Sequence, residues 1–135
     1  MSIDRLQRMV ADFAAEREWE RFHTPKNLVM ALMGEAGELS ELFQWLTPEE
    51  SAAVGTDPTL RGRVEDEVAD VFIYLLRLAD VLDIDLVGAV ERKMQKNASR
   101  YRVELARGVA TKSSYQVRLL SRRQQISAAA RSRNP

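Results

Sequence analysis

The sequence predicts an all-α fold, a bundle of four to five helices. Three observations lead there. Apolar residues recur at three- and four-residue spacing through several long segments. One helix-start signal, a Thr or Asp followed directly by Pro, appears three times, and it supplies both a side-chain cap and a preset φ at the first helical position. No segment alternates apolar and polar residues, and no Asn-Gly turn joins two candidate strands.

Each element has its own reason. Ser2 can cap a first helix whose apolar positions Ile3, Leu6, Met9, Val10 and Phe13 follow helical spacing, with an end expected near Trp19. Thr24-Pro25 opens a second helix, expected to reach about Leu46. Thr47-Pro48-Glu49-Glu50 has the form of a capping box and starts a short helix before Gly55. Asp57-Pro58 opens a helix running to about Leu82, and Asp85 can cap another, from Leu86 to about Arg102. From Ser113 onward Ser, Arg, Gln and Ala dominate. Residues 1–112 are therefore read as the domain, and 113–135 as a mobile or partly helical extension. A basic arm that contacts an acidic partner or nucleic acid is the alternative there.

At 135 residues the chain suffices for one core. It has no cysteine, which excludes disulfides and thiolate metal sites. No apolar run approaches the ~20 residues of a membrane span, and Met1 to Asp12 lacks a signal-peptide pattern. A cytoplasmic protein without a membrane partner is expected. The 20 basic and 20 acidic residues cancel, yet residues 113–135 hold five Arg and no acid. The remaining body is thus net acidic, which argues against a general nucleic-acid surface.

The informative anomaly lies in the second helix. At about 100° per residue, Leu28, Ala31, Glu35, Glu38 and Leu42 fall on one face, so two carboxylates interrupt an apolar seam. Neighbouring carboxylates in such a place raise each other's pKa and call for a cation between them. On the helix opened by Asp57, Leu60, Val64, Glu67, Asp70, Val71, Tyr74, Leu78 and Val81 share a face, and Glu67 and Asp70 again break it. Glu65 and Asp66 point away. Four carboxylates, with no Cys and no ligating His pair, form an oxygen-donor set suited to Mg²⁺ or Mn²⁺. On the last long helix Leu86, Ala89 and Val90 continue as Lys93, Asn97 and Arg100. Cations beside metal-binding carboxylates make a place for a polyphosphate. Each feature has a plainer reading: an acid pair as a solvated face, Lys93 and Arg100 as helix-end cations, and Trp19, Phe22, Trp45 and Tyr74 as core or interface residues.

Taken together, these motifs resemble the all-α nucleoside triphosphate pyrophosphohydrolases, the MazG-like superfamily. Glu35-x-x-Glu38 followed by Glu67-x-x-Asp70 carries the likeness. The run Trp19 to Leu28, the stretch Gly34 to Glu38, Phe43-Gln44-Trp45, and Lys93-x3-Asn97-x2-Arg100-Tyr101 draw it toward the dCTP pyrophosphatase branch. The resemblance covers about residues 1–112 and says nothing of the tail. It implies a Mg²⁺-dependent hydrolase that cuts a nucleoside triphosphate, dCTP-like or a modified form, to the monophosphate and pyrophosphate. It also implies a homo-oligomer, commonly a tetramer. Carried over, Glu35, Glu38, Glu67 and Asp70 hold the metal; Lys93, Asn97 and Arg100 meet the phosphates; and His23, Asn27, Trp45 and Tyr74, with Trp19 and Phe22, line the base and sugar pocket. Glu41, one turn beyond Glu38, is the candidate general base. The alternative is a catalytically silent bundle that binds a nucleotide or a partner protein.

Overall fold

The computed structural model describes residues 2–109, and the reading of residues 113–135 lies outside them. All regular structure among the described residues is helical: α1 (Ile3–Ala15), α2 (Pro25–Glu41), α3 (Pro48–Ala53), α4 (Pro58–Val81), α5 (Leu86–Arg100) and α6 (Val103–Ala106), with 3₁₀ turns at Glu20–Phe22 and Val54–Thr56. No helix among them is long and apolar enough to cross a membrane. Residues up to Asp85 pack as one compact unit, and a second begins at Leu86.

The starts fall where the cap signals put them. Ser2 Oγ accepts from the Arg5 N–H, Thr24 Oγ1 from Asn27, and Asp57 Oδ1 from Thr59 and Leu60. Thr47 and Glu50 close a reciprocal capping box: the Thr47 hydroxyl accepts from the Glu50 N–H at 3.2 Å, and the Glu50 carboxylate from the Thr47 N–H at 2.8 Å. Hydrogen bonding to the carboxylate, from the Thr47 N–H first and the Thr47 hydroxyl second, holds the Glu50 carboxyl below the usual range.

The ends are less faithful to the pattern. α1 stops at Ala15 rather than near Trp19 because a Schellman turn closes it. The Trp19 N–H donates to the Ala14 carbonyl at 3.0 Å and the Glu18 N–H to that of Ala15 at 3.0 Å. Glu18 takes the left-handed conformation, φ 53°. The turn lays Trp19 edge-on against Phe13, ring centroids 5.9 Å apart, which is the apolar contact that accompanies such motifs. α4 ends in the same way, with Asp83 at φ 51° and the Ile84 N–H on the Ala79 carbonyl. α2 leaves regular helix at Glu41, and residues 42–45 continue as turn. α6, which the sequence pattern did not indicate, follows α5 after a break at Tyr101 and Arg102.

In the first unit α4 is the central element, packed mainly on α2 and also on α1. Among the described residues, Leu28 of α2 and Leu76 of α4 are the largest fully buried side chains, and Ala14, Val54 and Ala79 are buried as well. α2 and α4 run antiparallel. His23, just before α2, meets Arg77 late in α4, whereas Glu35 and Glu38 meet Glu67 nearer the start of α4.

Candidate functional site

The acidic seam survives in three dimensions. One carboxylate oxygen each from Glu35, Glu38 and Glu67 lies within 4.8 Å of the others. Glu35 and Glu67 are half-buried and Glu38 is exposed. The cap at Thr24 fixes the register of α2, the cap at Asp57 fixes that of α4, and their packing turns the acid-bearing faces toward each other. Burial lifts the Glu35 carboxyl above its ordinary range, and the charges of Glu38, Asp70 and Glu67, in that order, lift it further. Asp70 is thus near enough to act on Glu35, although it is exposed and outside the tight trio. Oxygen donors that crowd and repel in this way are the arrangement a hard divalent cation relieves. The donor set fits such an ion.

Glu41 is exposed at the last turn of α2. Glu65 faces outward as expected and pairs with Arg61 at 2.7 Å. Tyr74, one turn beyond Asp70 on α4, is half-buried. Trp45 is 87% exposed. The Asn27 amide donates to the Phe22 carbonyl at 2.9 Å, so part of its hydrogen-bonding capacity secures the 3₁₀ turn before α2. Phe22 is exposed, with the Arg21 guanidinium 4.7 Å from its ring centroid. Trp19 packs against both Phe13 and His23. In the second unit Lys93, Asn97 and Arg100 occupy one face of α5 at i, i+4 and i+7. Lys93 and Arg100 are exposed, and Asn97 is half-buried.

One residue escaped the sequence reading. Arg77 is buried on α4, donating through Nε to His23 Nδ1 at 3.2 Å and ion-paired with Asp80. Its place three residues after Tyr74 and three before Asp80 marks a cation on the inner face, but nothing in the sequence tells that its partner lies 54 positions earlier.

Comparison with known proteins matches residues 32–115 to the MazG-like family model. The chain belongs to the MazG-like family. It is also similar to dCTP pyrophosphatase 1 of Rattus norvegicus and of Homo sapiens. In both cases identity is 47% over 111 residues, covering 82% of this chain and 65% of the relative. The chain thus spans just under two thirds of the length of these curated relatives. A crystal structure of a pyrophosphatase from Archaeoglobus fulgidus aligns with a TM-score of 0.67 and 42% identity, over 73% of this chain and 91% of that one. The matched region of this MazG-like chain includes Glu35, Glu38, Glu67 and Asp70 and the whole of α5.

Proposed function

We propose that this MazG-like chain is a nucleoside triphosphate pyrophosphohydrolase that uses Mg²⁺, with Mn²⁺ as substitute. Its substrate would be dCTP or a modified dCTP-like nucleotide of the cytoplasmic pool. The observation that carries the reading is the convergence of Glu35, Glu38 and Glu67 beside Asp70, in a chain similar to named dCTP pyrophosphatases.

Glu35, Glu38, Glu67 and Asp70 are the ligand set. A divalent ion supplies Lewis-acid polarisation of phosphoryl oxygens and a lowered pKa for water. The protein's part is charge, position and proton traffic. Glu41, exposed beyond the trio, is free to take a proton from the attacking water. Lys93 and Arg100 neutralise the phosphate chain and Asn97 helps orient it, which holds the α-phosphorus for in-line attack. Trp19, Phe22, His23, Asn27, Trp45 and Tyr74 receive base and sugar, the rings by stacking and the polar groups by contacts at the base edge.

Assembly as a homo-oligomer, with a tetramer expected, belongs to the same proposal. Large apolar side chains stand open on several elements, among them Met30 and Met33 of α2 and Val68 and Ile73 of α4, at 64%, 62%, 49% and 40% exposure. Subunit contacts would cover them, and Trp45 with them.

A panel of common and 5-modified nucleoside triphosphates tests the function, with pyrophosphate and orthophosphate release measured separately in Mg²⁺. Pyrophosphate release that is greatest for cytosine deoxynucleotides is the expected result. Triphosphates bound but returned intact identify a silent binder instead.

A further inference from the structure

Arg77 and His23 form a pair outside the acid cluster, and Arg77 has no role in the reading given so far. An arginine Nε carries a hydrogen and can only donate. The 3.2 Å contact with Nδ1 therefore requires a lone pair on Nδ1, which places the single proton of the neutral ring on Nε2. Protonating Nδ1 would set two N–H groups against each other beside a guanidinium charge. Burial and the Arg77 charge both hold the His23 pKa below its ordinary value, opposed by Glu20.

The pair is rigidly built. Arg77 is 8% exposed, and the second arm of its guanidinium is held by Asp80 one helical turn on. The His23 N–H donates to the carbonyls of Trp19 and Glu20 at 3.2 and 3.1 Å, and Trp19 flanks the imidazole edge-on at 6.4 Å. The charged groups acting on the ring are thus Arg77, with Asp80 behind it, from α4, and Glu20 from the 3₁₀ turn. Nε2 makes no hydrogen bond to any described residue. Arg77 lies ten residues beyond Glu67 on α4, about 15 Å along the helix axis. His23 therefore sits away from the acid trio, toward the C-terminal end of α4.

We propose that Arg77 is a positioning residue that locks His23 neutral in the Nε2–H tautomer, so that His23 meets the nucleotide as a hydrogen-bond donor. Its match is a carbonyl or ring-nitrogen acceptor, which cytosine presents at O2 and N3. The donor role rests on the pyrophosphohydrolase reading; the tautomer does not.

His23 is the only histidine in the chain, so ring-¹⁵N labelling and two-bond ¹H–¹⁵N correlation spectra of the full chain report on it alone. The expected spectrum shows a bare Nδ1 and a protonated Nε2 from neutral into mildly acid pH. A majority Nδ1–H tautomer overturns the proposal. In Arg77→Met the titration midpoint moves to higher pH and the Nδ1–H form gains population; an unchanged midpoint and tautomer also overturn it. Should that variant fail to fold, the wild-type tautomer still decides. Adding α,β-imido-dCTP with Mg²⁺ shifts the Nε2–H signal. If calorimetry shows the analogue bound while Nε2 stays unmoved, the donor role falls. An analogue that does not bind at all contradicts the pyrophosphohydrolase reading and the donor role with it, and leaves the tautomer standing on the first two spectra.

Discussion

Glu35 on α2 and Glu67 on α4 come from positions 32 residues apart, yet their carboxylate oxygens lie no more than 4.8 Å from each other. Two cap-and-proline starts set the phases of the helices, and Leu28 and Leu76 hold them together. Held at that distance without a counterion, the acids oppose folding.

That opposition is measurable through Glu35. Its folded pKa is raised above 4.5, so its contribution to stability is full below that pH and is lost as pH rises through the folded value. In EDTA, Glu35→Gln is expected to melt progressively higher than wild type as pH climbs above 4.5. Saturating Mg²⁺ reverses the order, because only the wild type keeps the ligand. Melting curves across pH, with and without metal, check both.

His23 gives a dependence of opposite sense. Its folded pKa lies below 6.5, so the unfolded chain takes up a proton that the native chain refuses, and stability falls as pH drops below 6.5. His23→Gln keeps an acceptor for Arg77 and has no titration. The stability difference between the two proteins should therefore shrink or change sign between neutral and mildly acid pH in denaturant titrations.

Backbone strain at the end of α1 predicts a stabilising change. Left-handed φ costs an ordinary residue about 1–2 kcal/mol, and glycine returns part of the relief through unfolded-state entropy. Glu18→Gly should raise stability by about 0.5–1 kcal/mol. Asp83→Gly should gain less, since Asp tolerates this conformation better. Thermal melts of both variants test the ranking.

Packing concentrates the core in few residues. Leu76 is 1% exposed between α4 and its neighbours, so Leu76→Ala should cost about 2–5 kcal/mol in chemical denaturation. Trp45→Ala, at a position 87% exposed, should leave the stability of the isolated chain nearly unchanged. If the chain self-associates, the wild-type melting temperature rises with protein concentration, and Trp45→Ala weakens that rise.

Much of this was legible in the sequence because it is local. Caps at Ser2, Thr24, Thr47 and Asp57 bond to groups two or three residues away, and the seam carrying Glu35, Glu38 and Glu67 follows from helical phase alone. The Schellman ends were hidden because Glu18 and Asp83 stand where the glycine signal belongs. α6 was missed because four residues are too few to show a period. Asp70 shared the predicted face but stands outside the trio, since helical phase fixes direction and not reach. Arg77 needed the antiparallel pairing of α2 and α4 before its partner could be known.

The most direct test of the account is a calorimetric titration of Mn²⁺ into wild type, Glu35→Gln and Glu67→Gln. Binding by the wild type, with an affinity loss in each variant of at least the roughly 10- to 100-fold that even supporting residues cost, is the predicted result. Equal affinity in all three proteins, or no binding by the wild type, would contradict a metal held jointly by α2 and α4.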